Sequence, residues 1–238
     1  MDDGAKELAD SLAMVRMAAS HGTTTIVASP HASPEYAYDE QTVEARIAEI
    51  GAAVPDGPKI IRGCDFHLSF ENIQQALVTP RKYTIGGRCY LLVEFPDLAI
   101  FPNTGDIFER LMDNGMIPVI THPERNQLLQ QKIDDIAKWV ERGTVVQVTA
   151  GSFLGRWGNH ARQFSETLMK RRLVHCIASD AHDIKHRPPI LTEAREHIEK
   201  QWGKEMGELL TETNPGAIVD GREIERTQTN GRKWYRFW

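Results

Sequence analysis

Cysteine is scarce in this chain: Cys64, Cys89 and Cys176 are the only three in 238 residues, and no pair has Cys-x-x-Cys spacing. That scarcity excludes a disulfide framework, and the three read as reduced, buried thiols of a cytoplasmic protein. None is followed by arginine six residues later, which rules out a loop built around a cysteine nucleophile for phosphate esters. Positive charge is short as well. Lysine and arginine number 28 against 33 aspartates and glutamates, giving a formal net charge of -5. A nucleic-acid binder would carry a basic face instead. Long apolar runs are also missing, and the N-terminus has no signal-peptide pattern, so no membrane insertion is expected.

What remains is the composition of an ordinary globular protein, 41% hydrophobic and 26% charged. A chain of this length buries the core of one large domain or two small ones. Apolar spacing predicts a helix through Leu8, Leu12, Val15 and Ala19, capped near Gly22. The β-branched run 23–29 predicts a strand ending at Pro30-His31. A polar loop over 32–40 precedes a helix over 40–54, which Pro55-Asp56-Gly57-Pro58 stops. The second strand, 59–63, runs into Cys64-Asp65, and 66–87 reads as an irregular excursion. Strand 89–93 delivers Glu94-Phe95-Pro96. After a helix over 104–114, strand 117–121 delivers His122-Pro123-Glu124-Arg125-Asn126. A helix through Ile133, Ile136, Ala137 and Val140 leads to strand 145–148, a loop over 151–158 and a helix over 159–172. The last strand, 174–178, ends in Ser179-Asp180-Ala181-His182, and helices over 190–202 and 204–212 close the compact part. The first 225 residues are expected to form one domain. Residues 226–238 read as a fraying tail despite Trp234, Tyr235, Phe237 and Trp238.

Strands alternating with helices predict an α/β fold with a parallel sheet, open or closed into a barrel. In such sheets ligands gather at the carboxyl ends of the strands. Five of the six strand-like runs end in a metal-type residue: His31, Asp65, Glu94, His122, and the pair Asp180 and His182. Any one of them is ordinarily a turn residue or a satisfied histidine. Turn preference does not explain the same event at five strand ends, and the ring argues for a centre with several metal ions. Three histidines and three carboxylates without a thiolate suit Mn²⁺, Fe or Zn²⁺. Sites with two ions about 3.5–4 Å apart chiefly hydrolyse phosphate esters or amides. They need a bridging carboxylate, for which Glu94 is the candidate because its strand should be central. Arg125 and Arg187 each lie close in sequence to a supposed ligand, and a guanidinium holds phosphate oxygens in two-point contact.

At these residues the sequence resembles the PHP (polymerase and histidinol phosphatase) superfamily, and more narrowly its CpsB/CapC-type capsule-locus tyrosine phosphatases. The resemblance runs from Asp2 to about Ile224. It is carried by Asp2-Asp3-Gly4-Ala5, Ala28-Ser29-Pro30-His31, Glu94-Phe95-Pro96, His122-Pro123-Glu124-Arg125-Asn126, Thr149-Ala150-Gly151-Ser152 with Gly155-Arg156, and Ser179-Asp180-Ala181-His182 with Arg187-Pro188. It implies a distorted (β/α)7 barrel holding two or three divalent ions, typically Mn²⁺. It also implies hydrolysis of phosphotyrosine on a bacterial tyrosine kinase that controls exopolysaccharide export. By motif match His31, Glu94, His122, Asp180 and His182 fall on metal ligands, Asp65 stands where the family has glutamate, and Arg125 and Arg187 match the arginines that hold phosphate. His182 is also the candidate proton donor.

The resemblance further implies a strand carrying His-x-His shortly before the Asp-Asp-Gly-Ala motif, whereas this chain begins on that motif at Met1. The expectation is therefore a barrel without its first strand, with two unpaired edges and two fewer ligands. A start codon lying upstream is the preferred account. Two other functions are weighed: a small-molecule phosphatase such as one acting on histidinol phosphate, and a catalytically weak phosphotyrosine-binding protein.

Overall fold

The computed structural model describes residues 2–226, so the expected aromatic tail lies outside the described residues. Among the described residues eight strands form: β1 Thr25–Ala28, β2 His31–Ala32, β3 Lys59–Arg62, β4 Asp65–His67, β5 Tyr90–Glu94, β6 Ile117–Thr121, β7 Val145–Thr149 and β8 Cys176–Ala178. Every ladder among them is parallel. The main sheet runs β2-β4-β5-β6-β7-β8, and β1 pairs with β3 in a short ladder upstream of β2 and β4. Strands follow one another in chain order with no reversal, the order of a barrel wall rather than of a doubly wound sheet.

The first two expected strands each break in two, and the sequence explains where. Pro30 has no N–H to give a ladder, so pairing stops there and resumes when the Asp65 N–H donates to the Pro30 carbonyl at 3.0 Å. Gly63 marks the matching break. A Cβ at Gly63 would lie 2.5 Å from Val27 Cγ1, a clash that glycine avoids. His31 and Asp65 consequently open short new strands instead of ending the first ones.

The expected helices stand at Leu8–Ser20, Glu40–Ala53, Thr104–Asp113, Ile133–Glu141, Gly158–Lys170 and Thr192–Trp202. The stretch 66–87 is more ordered than its sequence suggests. It contains β4, helix Phe70–Val78, begun by the Asn72 N–H donating to the Ser69 hydroxyl, and one turn at Pro80–Tyr83. In the longer helix only Ile73 and Ala76 are buried, too small an apolar face for periodicity to reveal. The first residues of the loop expected at 151–158 instead belong to a one-turn helix, Ala150–Phe153. The last expected helix is instead Lys204–Glu208, continuing through a π-helical turn, Leu209–Thr213, into Asn214–Asp220. The cysteines are unpaired; Cys64 and Cys176 are buried as expected, but Cys89 is half-buried.

Both faces of the central strands are covered. Leu91, Val93, Ile120, Val146, Val148 and Ile177 face the helices in the larger core. The alternate residues Tyr90, Leu92, Val119, Val145 and Cys176 form a second cluster with Ala217, Ile218 and Ile224, against which Val27 of β1 and Ile61 of β3 pack. Each such aliphatic side chain contributes about 1.5–3 kcal/mol by leaving water. Both ends of the strand series contribute to one cluster, so the wall curls around a shared interior. No ladder joins β8 to β2 among the described residues.

Candidate functional site

Glu94 ends β5 on the interior face shared with Tyr90 and Leu92. The next residue, Phe95, stacks on Trp139 with centroids 5.6 Å apart and rings inclined by 17°, which pins the strand end. In the β4–β5 register His67 sits beside Glu94 and Asp65 beside Leu92, while the β2–β4 register sets His31 beside Asp65. Asp65 and His67, two apart on one strand, therefore share a face. His122 and Asp180 reach the same end differently. Both are non-glycine residues in the left-handed region, with φ of 34° and 52°. Such conformations cost about 1–3 kcal/mol each and turn the chain out of the strand direction.

These elements make Glu94 a hub. Its carboxylate lies 3.5 Å from His122 Nε2, 3.8 Å from His67 Nδ1 and 4.0 Å from His31 Nε2. Asp65 lies 3.8 Å from His122 Nε2. One ligand atom each from His31, Asp65 and Glu94 falls within 4.8 Å of the others, and the same holds for Asp2, Asp3 and His31. The His31 backbone N–H donates to Asp2 Oδ2 at 3.0 Å, and His31 Nδ1 meets the same oxygen at 3.0 Å. Asp3 Oδ1 lies 3.5 Å from His31 Nδ1 and 3.3 Å from His182 Nε2. His31 and His182 come from opposite edges of the main sheet, yet their ring centroids are 6.3 Å apart.

The surrounding carboxylates favour positive charge here. A hydrogen bond to Asp2 outweighs burial and, with the Asp65 and Glu94 charges, pushes His31 up to about 9. Burial draws His122 down, but the hydrogen bond and charge of Asp65 more than offset it and leave its pKa raised. Burial would raise Glu94, yet His67, His122 and His31 hold its carboxyl below the usual range. Imidazoles and carboxylates facing one another in a field that attracts cations are a donor set suited to divalent metal ions.

Beside this cluster lie the two arginines. Arg125 Nη1 and Arg187 Nη2 both donate to Asp180 Oδ2, the latter at 2.5 Å. Arg187 Nε is buried and finds no partner among the described residues. Arg125 is mounted firmly. Its neighbour Glu124 is fully buried, and Glu124 Oε1 accepts from the Thr149 N–H at 3.0 Å and the Ser152 hydroxyl at 2.7 Å. Burial raises the Glu124 pKa. On the other side, Asn126 Nδ2 donates to the Pro96 carbonyl at 3.0 Å, tying the turns after β5 and β6 together.

All the residues singled out in the sequence thus lie at one end of the sheet. His31, Asp65, Glu94 and His122 form the centre, with Asp180, His182, Arg125 and Arg187 along one side. The reading missed Asp2, Asp3 and His67. His67 carried a usable signal, since Asp65-Phe66-His67 repeats the Asp-x-His spacing of Asp180-Ala181-His182. The two aspartates carried none beyond the resemblance, because their proximity to His31 is purely tertiary.

Comparisons with known proteins point to one family. The model of the family described as capsular polysaccharide synthesis, CpsB/CapC, matches residues 1–220. Tyrosine-protein phosphatase YwqE of Bacillus subtilis is 33% identical over 218 residues, spanning 89% of this chain and 85% of that protein. Tyrosine-protein phosphatase CpsB of Streptococcus pneumoniae is 25% identical over 230 residues, covering 92% and 93%. A chain from the crystal structures of YwqE and CpsB, described as unique metal-dependent tyrosine phosphatases, matches with a TM-score of 0.88 and 31% identity. The match covers 98% of this chain and 96% of that one.

Proposed function

This chain belongs to the CpsB/CapC family of capsular polysaccharide synthesis, and on that premise we propose that it is a metal-dependent protein-tyrosine phosphatase. Its substrate is phosphotyrosine on a protein, and within that class a bacterial tyrosine kinase governing capsule or exopolysaccharide production. The observation that carries this reading is Glu94 within 4.0 Å of three imidazoles, next to two guanidiniums that meet on Asp180.

His31, Asp65, Glu94, His122, Asp180 and His182 would hold two or three divalent ions, with Asp2, Asp3 and His67 as further donors. Mn²⁺ suits this mixed set, and Fe or Zn²⁺ are the alternatives. The chemistry such ions supply when bound is a water acidic enough to attack phosphorus near neutral pH, together with neutralised charge on the reacting oxygens. Arg125 and Arg187 bind the phosphoryl oxygens and orient phosphorus toward the cluster, replacing part of their contact with Asp180. Tyrosinate, with a free pKa of about 10, is a fair leaving group, so proton donation by His182 assists without being obligatory. Among the described residues no helix is long and apolar enough to cross a membrane. The unpaired cysteines, two of them buried, support a cytoplasmic placement.

The test is turnover of a phosphotyrosine peptide and of p-nitrophenyl phosphate. Activity is expected to disappear in chelator and return with Mn²⁺. Undiminished activity in chelator, or faster turnover of histidinol phosphate than of the peptide, would overturn the proposal.

A further inference from the structure

Trp157 is an exposed large aromatic residue, with 38% of its surface accessible. Its neighbours give that exposure a purpose. The guanidinium carbon of Arg125 lies 3.9 Å from the centroid of the indole, and that of Arg187 lies 5.3 Å away. We infer that Trp157 is a positioning residue for the phosphate clamp, its indole holding the two guanidiniums side by side. This rests on the reading that Arg125 and Arg187 bind the phosphoryl group.

The physical difficulty at this corner is that two like charges must be kept together. Asp180 does so at a cost, since its negative charge competes with the anion the arginines are to receive. An aromatic face attracts a cation through its quadrupole while remaining neutral. It therefore holds the arginines without reducing their net attraction for phosphate, and it can stay in contact when the anion displaces Asp180. Holding both guanidiniums before the substrate arrives lowers the ordering cost of binding.

The backbone gives Trp157 the fixity this role needs. It sits between Gly155 and Gly158, whose φ values of 75° and 87° fold the segment into consecutive turns. The Arg156 N–H donates to the Gly151 carbonyl at 2.9 Å, and the Gly158 N–H to the Gly155 carbonyl at 3.0 Å. Arg156 also pairs with Glu193 at 2.8 Å, anchoring the turn to helix Thr192–Trp202. Glu124 binds the Arg125 turn to the same segment through Thr149 and Ser152. Arg187 arrives on a different loop, so the indole joins two separately mounted arginines.

The experiment compares metal-loaded wild type with Trp157→Leu and Trp157→Phe, after matching their thermal unfolding midpoints. Leucine fills space without a π-face; phenylalanine keeps a weaker one. For Trp157→Leu, KM for a phosphotyrosine peptide and the inhibition constant of inorganic phosphate are expected to rise together, by about tenfold. The change in kcat should be smaller, and Trp157→Phe should recover most of the loss. Unchanged constants in Trp157→Leu, or equal losses in both variants, would overturn the inference. Calorimetric titration of the metal-loaded proteins with inorganic phosphate keeps this test apart from the activity. If wild type hydrolyses nothing, the phosphatase reading falls, while a phosphate affinity that Trp157→Leu weakens and Trp157→Phe preserves still supports the clamp. Equal phosphate affinity in all three proteins would remove it.

Discussion

His67 shows how a residue passes unnoticed when its neighbours are read as loop. Its spacing from Asp65 is the same as that of His182 from Asp180, yet only the second pair follows an obvious apolar strand. β4 has three residues and no run of its own, and only the fold, by setting it beside β5, reveals that its polar side chains face Glu94. Glu94, His122 and Asp180 were legible because each follows a clear strand; Asp2 and Asp3 were not, because their place depends on how the first segment folds back over β2. If His67 helps hold a cation, His67→Ala should weaken Mn²⁺ binding by about ten- to a hundredfold. Calorimetric titration of the metal-free protein measures this, and equal affinity in both proteins would assign His67 a packing role.

At the scale of elements, the sequence announced the order of strands and helices but not the two breaks, since these depend on how closely separate strands approach. It was also silent on His175, which precedes β8 and binds that strand to its neighbour. The Val146 N–H of β7 donates to His175 Nδ1 at 3.1 Å, and the His175 carbonyl accepts from Asn214 Nδ2 at 2.8 Å. Burial, with the Arg226 charge alongside, pulls its pKa down to about 3. In the unfolded chain the same imidazole takes up a proton near pH 6.5. The neutral ring's contribution is thus complete above about pH 6.5 and is lost as pH falls toward 3, at about 1.4 kcal/mol per pH unit. Between pH 7 and 5, His175→Gln should therefore lose about 2 kcal/mol less stability than wild type in urea unfolding. Parallel losses would mean that His175 titrates normally in the folded protein. The raised pKa of His31, at about 9, acts in the opposite, alkaline window and does not overlap with this one.

For the molecule as a whole, the sequence anticipated a parallel α/β architecture with its polar residues at one end and, through the resemblance, two unpaired edges, but not that side chains from both edges come together. Hydrophobic patterning specifies which face of a strand is buried; it says little about curvature. Here β2 and β8, the outermost strands of the six-stranded ladder, share no ladder hydrogen bonds among the described residues, while His31 of β2 and His182, just after β8, approach through Asp3. The candidate site is thus also the clasp of an unfastened hoop. Any cation shared by groups from both sides would draw the hoop shut, making occupancy a mechanical matter as well as a chemical one. Mn²⁺ at a hundred times its dissociation constant should add about 2.7 kcal/mol and raise the unfolding midpoint. Slower amide exchange should appear in β2 and β8 before it appears in β5 or β6. Uniform protection across the sheet would mean that the ion merely sits in the mouth and fastens nothing.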